Sequence, residues 1–283
     1  MWSGNWILGR ALRETFDPVA LNFWRWLVAL LILAPFAAST AWQKRAVIRR
    51  HAGLLAFLAL AGVVAFQSLV YHGLESTTAI NAVLINASAP VFIVICSWVV
   101  DRERAGWRQI AGMLISFLGV LVIVCQGEPA RLLQLEIHSG DAWILLAMPI
   151  WGVYSVVVRR CPPELRGAAL TFVLAAIGVA ILVPLYFASA ARGPLRWPTG
   201  TEAGAVLYVA IAASVLAFIC WNRGVAVVGA NAAGFTLPLL PAFGTVLAIL
   251  ALGESFRGFH ATGFVIILIG VVLATRGGGS AMK

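Results

Sequence analysis

At 283 residues, 61% apolar and only 11% charged, the chain has too few polar side chains to cover a soluble globule of its length. Its net charge of +9 comes from short basic clusters set between apolar runs, which is how membrane topology is encoded, so nucleic acid is excluded as a partner and a lipid bilayer is expected. Four single cysteines, Cys96, Cys125, Cys161 and Cys220, show neither CxxC nor Cys/His spacing, so no disulfide framework, metal or other cofactor is expected.

A hydrocarbon layer about 30 Å thick takes roughly 20 apolar residues as a helix. The opening stretch MWSGNWILGRAL is apolar but too short to cross alone, and reads as the back half of a first helix truncated at its N-terminus. Nine spans follow, near Leu21 to Ala38, Gly53 to Tyr71, Ala79 to Val100, Ile110 to Cys125, Asp141 to Val158, Ala168 to Phe187, Ala203 to Asn222, Ala230 to Leu252 and Phe259 to Thr275. The expected fold class is therefore an all-α integral membrane protein of ten transmembrane helices.

An internal repeat organises them. Trp2, Arg10 and Pro35 recur 149 residues later as Trp151, Arg159 and Pro184, and Asn81 recurs after 150 as Asn231. Pro90, Glu103, Gly112 and Gly119 recur after 151 as Pro241, Glu254, Gly263 and Gly270. The reading is a first five-helix repeat over 1–126, a linker over 127–138, a second repeat over 139–277 and a tail over 278–283. An odd number of helices per copy forces the second copy into the membrane upside down, the inverted repeat on which transporters build alternating access. With the N-terminus inside, six cations lie on outer segments (Arg10, Arg13, Arg131, Arg192, Arg196, Arg257), Arg25 lies inside a helix, and the remaining thirteen of the twenty lie inside. Both termini are expected in the cytoplasm, in a bacterial-type cytoplasmic membrane.

WSGNWILGRAL, NFWRWLVALLILAP, NASAPVF followed by Glu103, and TLPLLPAFGTVLAILALGE resemble the drug/metabolite transporter superfamily in its EamA-type, ten-helix branch. Within it the chain is most similar to the YddG-type exporters of aromatic and other amino acids. The resemblance implies a central cavity between the halves, lined by the first, third and fourth helices of each copy. It leaves the cargo open, since related members carry sugars, nucleotide sugars, purines and drugs.

Candidate cavity residues come from polar and aromatic side chains inside the spans. Asn81 and Ser88, seven apart, share a face of the fourth helix, whereas Asn86 points to a flank; the matching helix of the second copy offers Asn231 and Phe235. Interhelical hydrogen bonds alone would also explain such residues. Trp6, Trp151 and Tyr154 could stack on an apolar or aromatic substrate while Asn5, Asn81 and Ser88 bond its polar end. Tyr71-His72 and Trp221-Asn222, 150 residues apart, occupy equivalent helix ends and are candidate gates or interfacial anchors. Arg25 is expected to snorkel to the outer surface, and Glu103 and Glu254 to pair with nearby arginines. With no acidic residue in mid-membrane, a facilitator driven by the substrate's own gradient is the simpler expectation. No P-loop, GxSxG, HExxH or paired carboxylate appears, so no enzyme activity is expected. The reading is a monomeric exporter of amino acids, aromatic ones included. The alternatives are an exporter of purines, lipophilic cations or other small molecules, and a membrane scaffold that transports nothing.

Overall fold

The computed structural model describes residues 1–13, 15–191, 195–252 and 257–276, with the side chains of 79 and 247–252 left out. The described residues form no strand. Apart from a six-residue helix, Arg45–Arg50, between the second and third, ten principal helical segments follow in chain order: α1 (Trp2–Ala11), α2 (Pro18–Gln43), α3 (Ala52–Ser76), α4 in two pieces (Ala79–Asn86 and Ala89–Asp101) and α5 (Trp107–Val124); then α6 (Ser139–Val157), α7 (Gly167–Ala188), α8 (Gly200–Val228), α9 in two pieces (Ala230–Gly234 and Leu239–Leu252) and α10 (Gly258–Arg276). Eight are long and apolar enough to cross a membrane. The others are α1, at 10 residues, and the interrupted α9. A short 3₁₀ turn, Pro129–Gln134, lies in the connection between α5 and α6.

Capping chemistry sets several ends beyond the apolar runs. Asp17 accepts from Val19 N at 3.1 Å and Ala20 N at 3.2 Å, and Pro18 occupies the first helical position, so α2 starts three residues before Leu21. Thr78 caps α4 by accepting from Asn81 N at 3.1 Å. At the junction of α8 and α9 the chain turns through Gly229 at φ 87°, a conformation glycine adopts without steric cost.

The two sets of five segments pack on each other with opposite direction. Gly112 of α5 meets Gly270 of α10, and Gly119 meets Gly263, so one helix ascends as the other descends. Because Gly112 and Gly119 correspond to Gly263 and Gly270 in the repeat, each contact is the other's symmetry mate. Phe23, near the start of α2, stacks on Tyr186, near the end of α7, at 4.4 Å and 11°. Each first helix lies on the third and fourth helices of the other set: α1 on α8 and α9, α6 on α3 and α4. A Cβ added to Gly270 would lie 2.5 Å from both Gly112 O and Ser116 N, atoms held by helix backbone. Gly270→Ala is expected to destabilise the fold by about 1–3 kcal/mol. An unchanged melting temperature in detergent would refute this.

The broken helices also match. α4 is interrupted at Ala87 and Ser88 just before Pro90, and α9 between Gly234 and Leu239 around Pro238, as proline without an amide donor dictates. Both third helices carry a π-helical stretch, Ala59–Ala65 and Val209–Leu216. Side chains satisfy the carbonyls these looser turns free. Asn22 donates to Val63 O at 3.0 Å, and the Trp2 indole donates to Ala213 O at 3.0 Å. π-Helical turns inside α-helices often mark functional sites.

Candidate functional site

A cavity of about 740 Å³ opens between α1, α4 and α9, with Leu74 of α3, Ile123 at the end of α5 and Phe259 at the start of α10 completing its wall. Contrary to the lining expected from the resemblance, α6 and α8 contribute no lining residue among the described residues, and the fifth helix of each set does. Ser3, Leu240 and Gly244 line its deep end, Trp6 and Asn86 its walls, and Arg10 its mouth. Ser3 donates to Leu240 O at 2.9 Å and ties α1 to α9 at the floor. Arg10 donates to Thr77 O at the rim, where it also borders a smaller polar recess with Glu75 and His138.

Beyond the floor the seam is shut by aromatic rings. Trp151 of α6 sits at the centre, its ring 5.3 Å from Trp2, 4.7 Å from Phe66, 5.1 Å from Tyr154, 5.8 Å from Phe218 and 5.3 Å from Trp221. Tilted and edge-on ring pairs of this kind add attraction beyond their buried area. Trp2 adjoins the cavity residue Ser3 in the chain, and Trp151 and Tyr154 precede Arg159 and Arg160 on one helical run, so the cluster links the cavity floor to the side that bears those arginines. On that face Arg159 pairs with Glu103 at 3.0 Å and Arg160 with Asp101 at 2.8 Å, joining the end of α4 to the end of α6. The expected pairing of Glu103 is thus observed; Glu254 lies outside the described residues.

The candidate residues distribute over five places. Trp6 lines the cavity. Trp151, Tyr154 and Trp221 belong to the ring cluster. Asn5 and Tyr71 belong to a buried network around Arg25, Tyr71 donating to Asn5 Oδ1 at 2.6 Å. Tyr154 donates to Asn222 Oδ1 at 2.8 Å, so each first helix is bonded to the third helix of its own set, the second bond one residue beyond the repeat equivalent of the first. Four candidates sit at helix ends or breaks. The Asn81 amide bonds Asp141 Oδ2 at 2.7 Å and Glu136 O at 2.8 Å, where α6 begins. Ser88 donates back to Ile85 O at 2.6 Å within the break of α4. Asn231 and Phe235 are buried at the break of α9, and neither amide atom of Asn231 has a hydrogen-bond partner among the described residues. His72 is exposed, 2.8 Å from Glu75 and edge-on to Trp143.

Two expectations change. Asn86 borders the cavity rather than a flank, because the break at Ala87 and Ser88 ends the straight-helix register on which the flank assignment rested. Arg25 does not snorkel: it is 0% exposed. It donates from Nε to Ser214 Oγ at 2.8 Å and from Nη1 to Gln67 at 2.8 Å, Tyr71 at 2.7 Å and Asn5 at 3.2 Å. Gln67 and Ser214 were not singled out by the sequence; their signal was position in the third helices, Gln67 just after the first π-helical stretch and Ser214 within the second, which the apolar pattern conceals.

Comparison with known proteins gives the same architecture. An "uncharacterized transporter" of Archaeoglobus fulgidus is 30% identical over 97% of this chain and 93% of its own length. The "uncharacterized transporter YyaM" of Bacillus subtilis is 27% identical over 92% and 85%. A "probable terminal-alkyne amino-acid exporter" of Streptantibioticus cattleyicolor is 29% identical over 80% of this chain and 74% of its own. A crystal structure sharing 21% identity superposes with a TM-score of 0.78 over 99% of this chain and 95% of that one, a likeness of fold. The EamA-like transporter family matches residues 1–125 and 138–276, one match on each set of five helices, and the chain therefore belongs to that family of multi-pass membrane transporters.

Proposed function

We propose that the protein exports amino acids, aromatic ones included, by alternating access, with residues 1–126 and 139–277 as the two moving halves. The observation that carries this reading is the seam itself, an open cavity on one side and a closed plug of rings on the other. The similarity to an amino-acid exporter and the abundance of aromatic surface beside the cavity favour amino acids as cargo. The excess of cations on the Arg159 side favours a cytoplasmic position for that face, and on this reading the conformation opens outward from a bacterial-type cytoplasmic membrane.

Purified protein in liposomes, offered labelled tryptophan, threonine, a purine and a lipophilic cation side by side, tests the cargo. Tryptophan and threonine are expected to exchange across the membrane. Transport of the lipophilic cation alone would overturn the amino-acid reading. The buried polar side chains of the described residues include no carboxylate, which favours transport down the substrate's own gradient. A protonophore is therefore expected to leave the tryptophan rate unchanged, and abolition of the rate would mean proton coupling.

A further inference from the structure

Arg25 lies seven residues into α2, with none of its surface reaching solvent. A guanidinium does not deprotonate in proteins, and a cation taken from water into an interior costs several kcal/mol even after relaxation. The four acceptors gathered around it are Ser214, Gln67, Tyr71 and Asn5, and the rings of Trp26 and Tyr71 lie 5.5 and 5.7 Å from its central carbon. Every one of these partners is neutral. Nη2 has no hydrogen-bond partner among the described residues. A purely architectural tie between helices would be made at less cost by an uncharged amide, or by an arginine whose charge a carboxylate offsets.

The surroundings give the sign and shape of what is recognised. Trp26 packs edge-on against Phe218 at 4.9 Å, and Phe218 adjoins Trp2 and Trp151, so the guanidinium borders the ring cluster. Of the ring cluster and its border, Trp26 Nε1 and Trp221 Nε1 also find no partner among the described residues and are N–H donors, as Arg25 Nη2 is; the one unpartnered acceptor nearby in sequence, Asn22 Oδ1, sits on an amide whose nitrogen is bonded to α3. Unfilled donors call for an acceptor, and a planar guanidinium is matched by a carboxylate. We propose that Arg25 is the carboxylate subsite of the transported molecule, holding the acid end while the side chain lies among Trp2, Trp151 and Phe218. The proposal deepens the amino-acid reading and rests on it.

Helix α1 is the partition between this subsite and the cavity. Its Asn5 faces the guanidinium, while Ser3, Trp6 and Ile7 face the open side. Gly9 lets α1 lie directly against Tyr71, where a Cβ would come within 2.8 Å of the ring. In the proposed cycle, a tilt of this ten-residue helix withdraws Asn5 and uncovers the guanidinium to the cavity.

The test uses wild-type protein in nanodiscs and three related probes: tryptophan, indole-3-acetate, which keeps the carboxylate without the amine, and tryptamine, which keeps the amine without the carboxylate. Tryptophan and indole-3-acetate are expected to bind, and tryptamine at least roughly tenfold more weakly. Arg25→Gln is expected to weaken the two acids by roughly 10- to 100-fold, the range for a charge-assisted hydrogen-bonded pair, and to leave tryptamine unchanged. Arg25→Lys, which keeps the charge without the fork, should fall between. Equal binding of tryptamine and tryptophan, or an Arg25→Gln protein that is monodisperse with tryptophan affinity intact, overturns the subsite and leaves amino-acid transport standing. Should Arg25→Gln fail to fold, the wild-type probe series decides alone. If wild-type protein neither binds nor moves tryptophan, the amino-acid reading falls; indole-3-acetate then decides the anion subsite, binding supporting it and no binding overturning it.

Discussion

Trp151→Ala is expected to abolish more than nine-tenths of tryptophan exchange and to lower stability by about 3–5 kcal/mol. The ring touches five others drawn from α1, α3, α6 and α8, so truncation empties the centre of a cluster whose members keep one another in place. The loss reaches transport because these rings are also what closes the seam beneath the cavity. A void there gives the closed side no plug to form, and the proposed alternating-access cycle loses one of its two end states. Trp151→Phe refills part of the volume and keeps a π-face, so it is expected to retain a substantial share of both stability and exchange. Thermal melting in detergent and proteoliposome exchange, measured on the same preparations, check both effects. A folded Trp151→Ala protein exchanging tryptophan at the wild-type rate would place the closure elsewhere.

The helical architecture was legible because hydrocarbon imposes a single rule, long apolar runs with internal backbone bonding, and the chain obeys it in eight of its ten segments. The repeat was legible from residues whose chemistry restricts substitution at helix breaks and close contacts, such as Pro90 with Pro241 and Gly112 with Gly263. Pairings between distant segments were not. The reach of Arg25 into a pocket of Asn5, Gln67, Tyr71 and Ser214 depends on four helices meeting, and the sequence of α2 alone makes a surface-seeking arginine the natural expectation. The π-helical stretches escaped for a similar reason. Their extra residue is accommodated by Asn22 and Trp2 reaching from other helices, so nothing in ALAGVVA or VAIAASVL announces it.

Asn81 shows how the two kinds of information divide, and it carries the second large effect. Its place on the apolar fourth helix demanded a polar partner, and sequence allowed either a ligand or a neighbouring side chain. In the structure its amide meets Asp141 at 2.7 Å, and the same carboxylate oxygen accepts from His138 N at 2.9 Å and so caps α6. The Thr77 hydroxyl bonds the other oxygen, so one carboxylate holds the start of α6 to the start of α4. Asp141→Ala removes the cap and leaves two donors short of an acceptor, for an expected cost of about 2–4 kcal/mol. Asn81→Leu is expected to lower the melting temperature in the same direction while the KM for tryptophan in the folded fraction stays unchanged. The opposite pattern, an unchanged melting temperature with a raised KM, would mean that Asn81 leaves Asp141 during the cycle and meets the substrate.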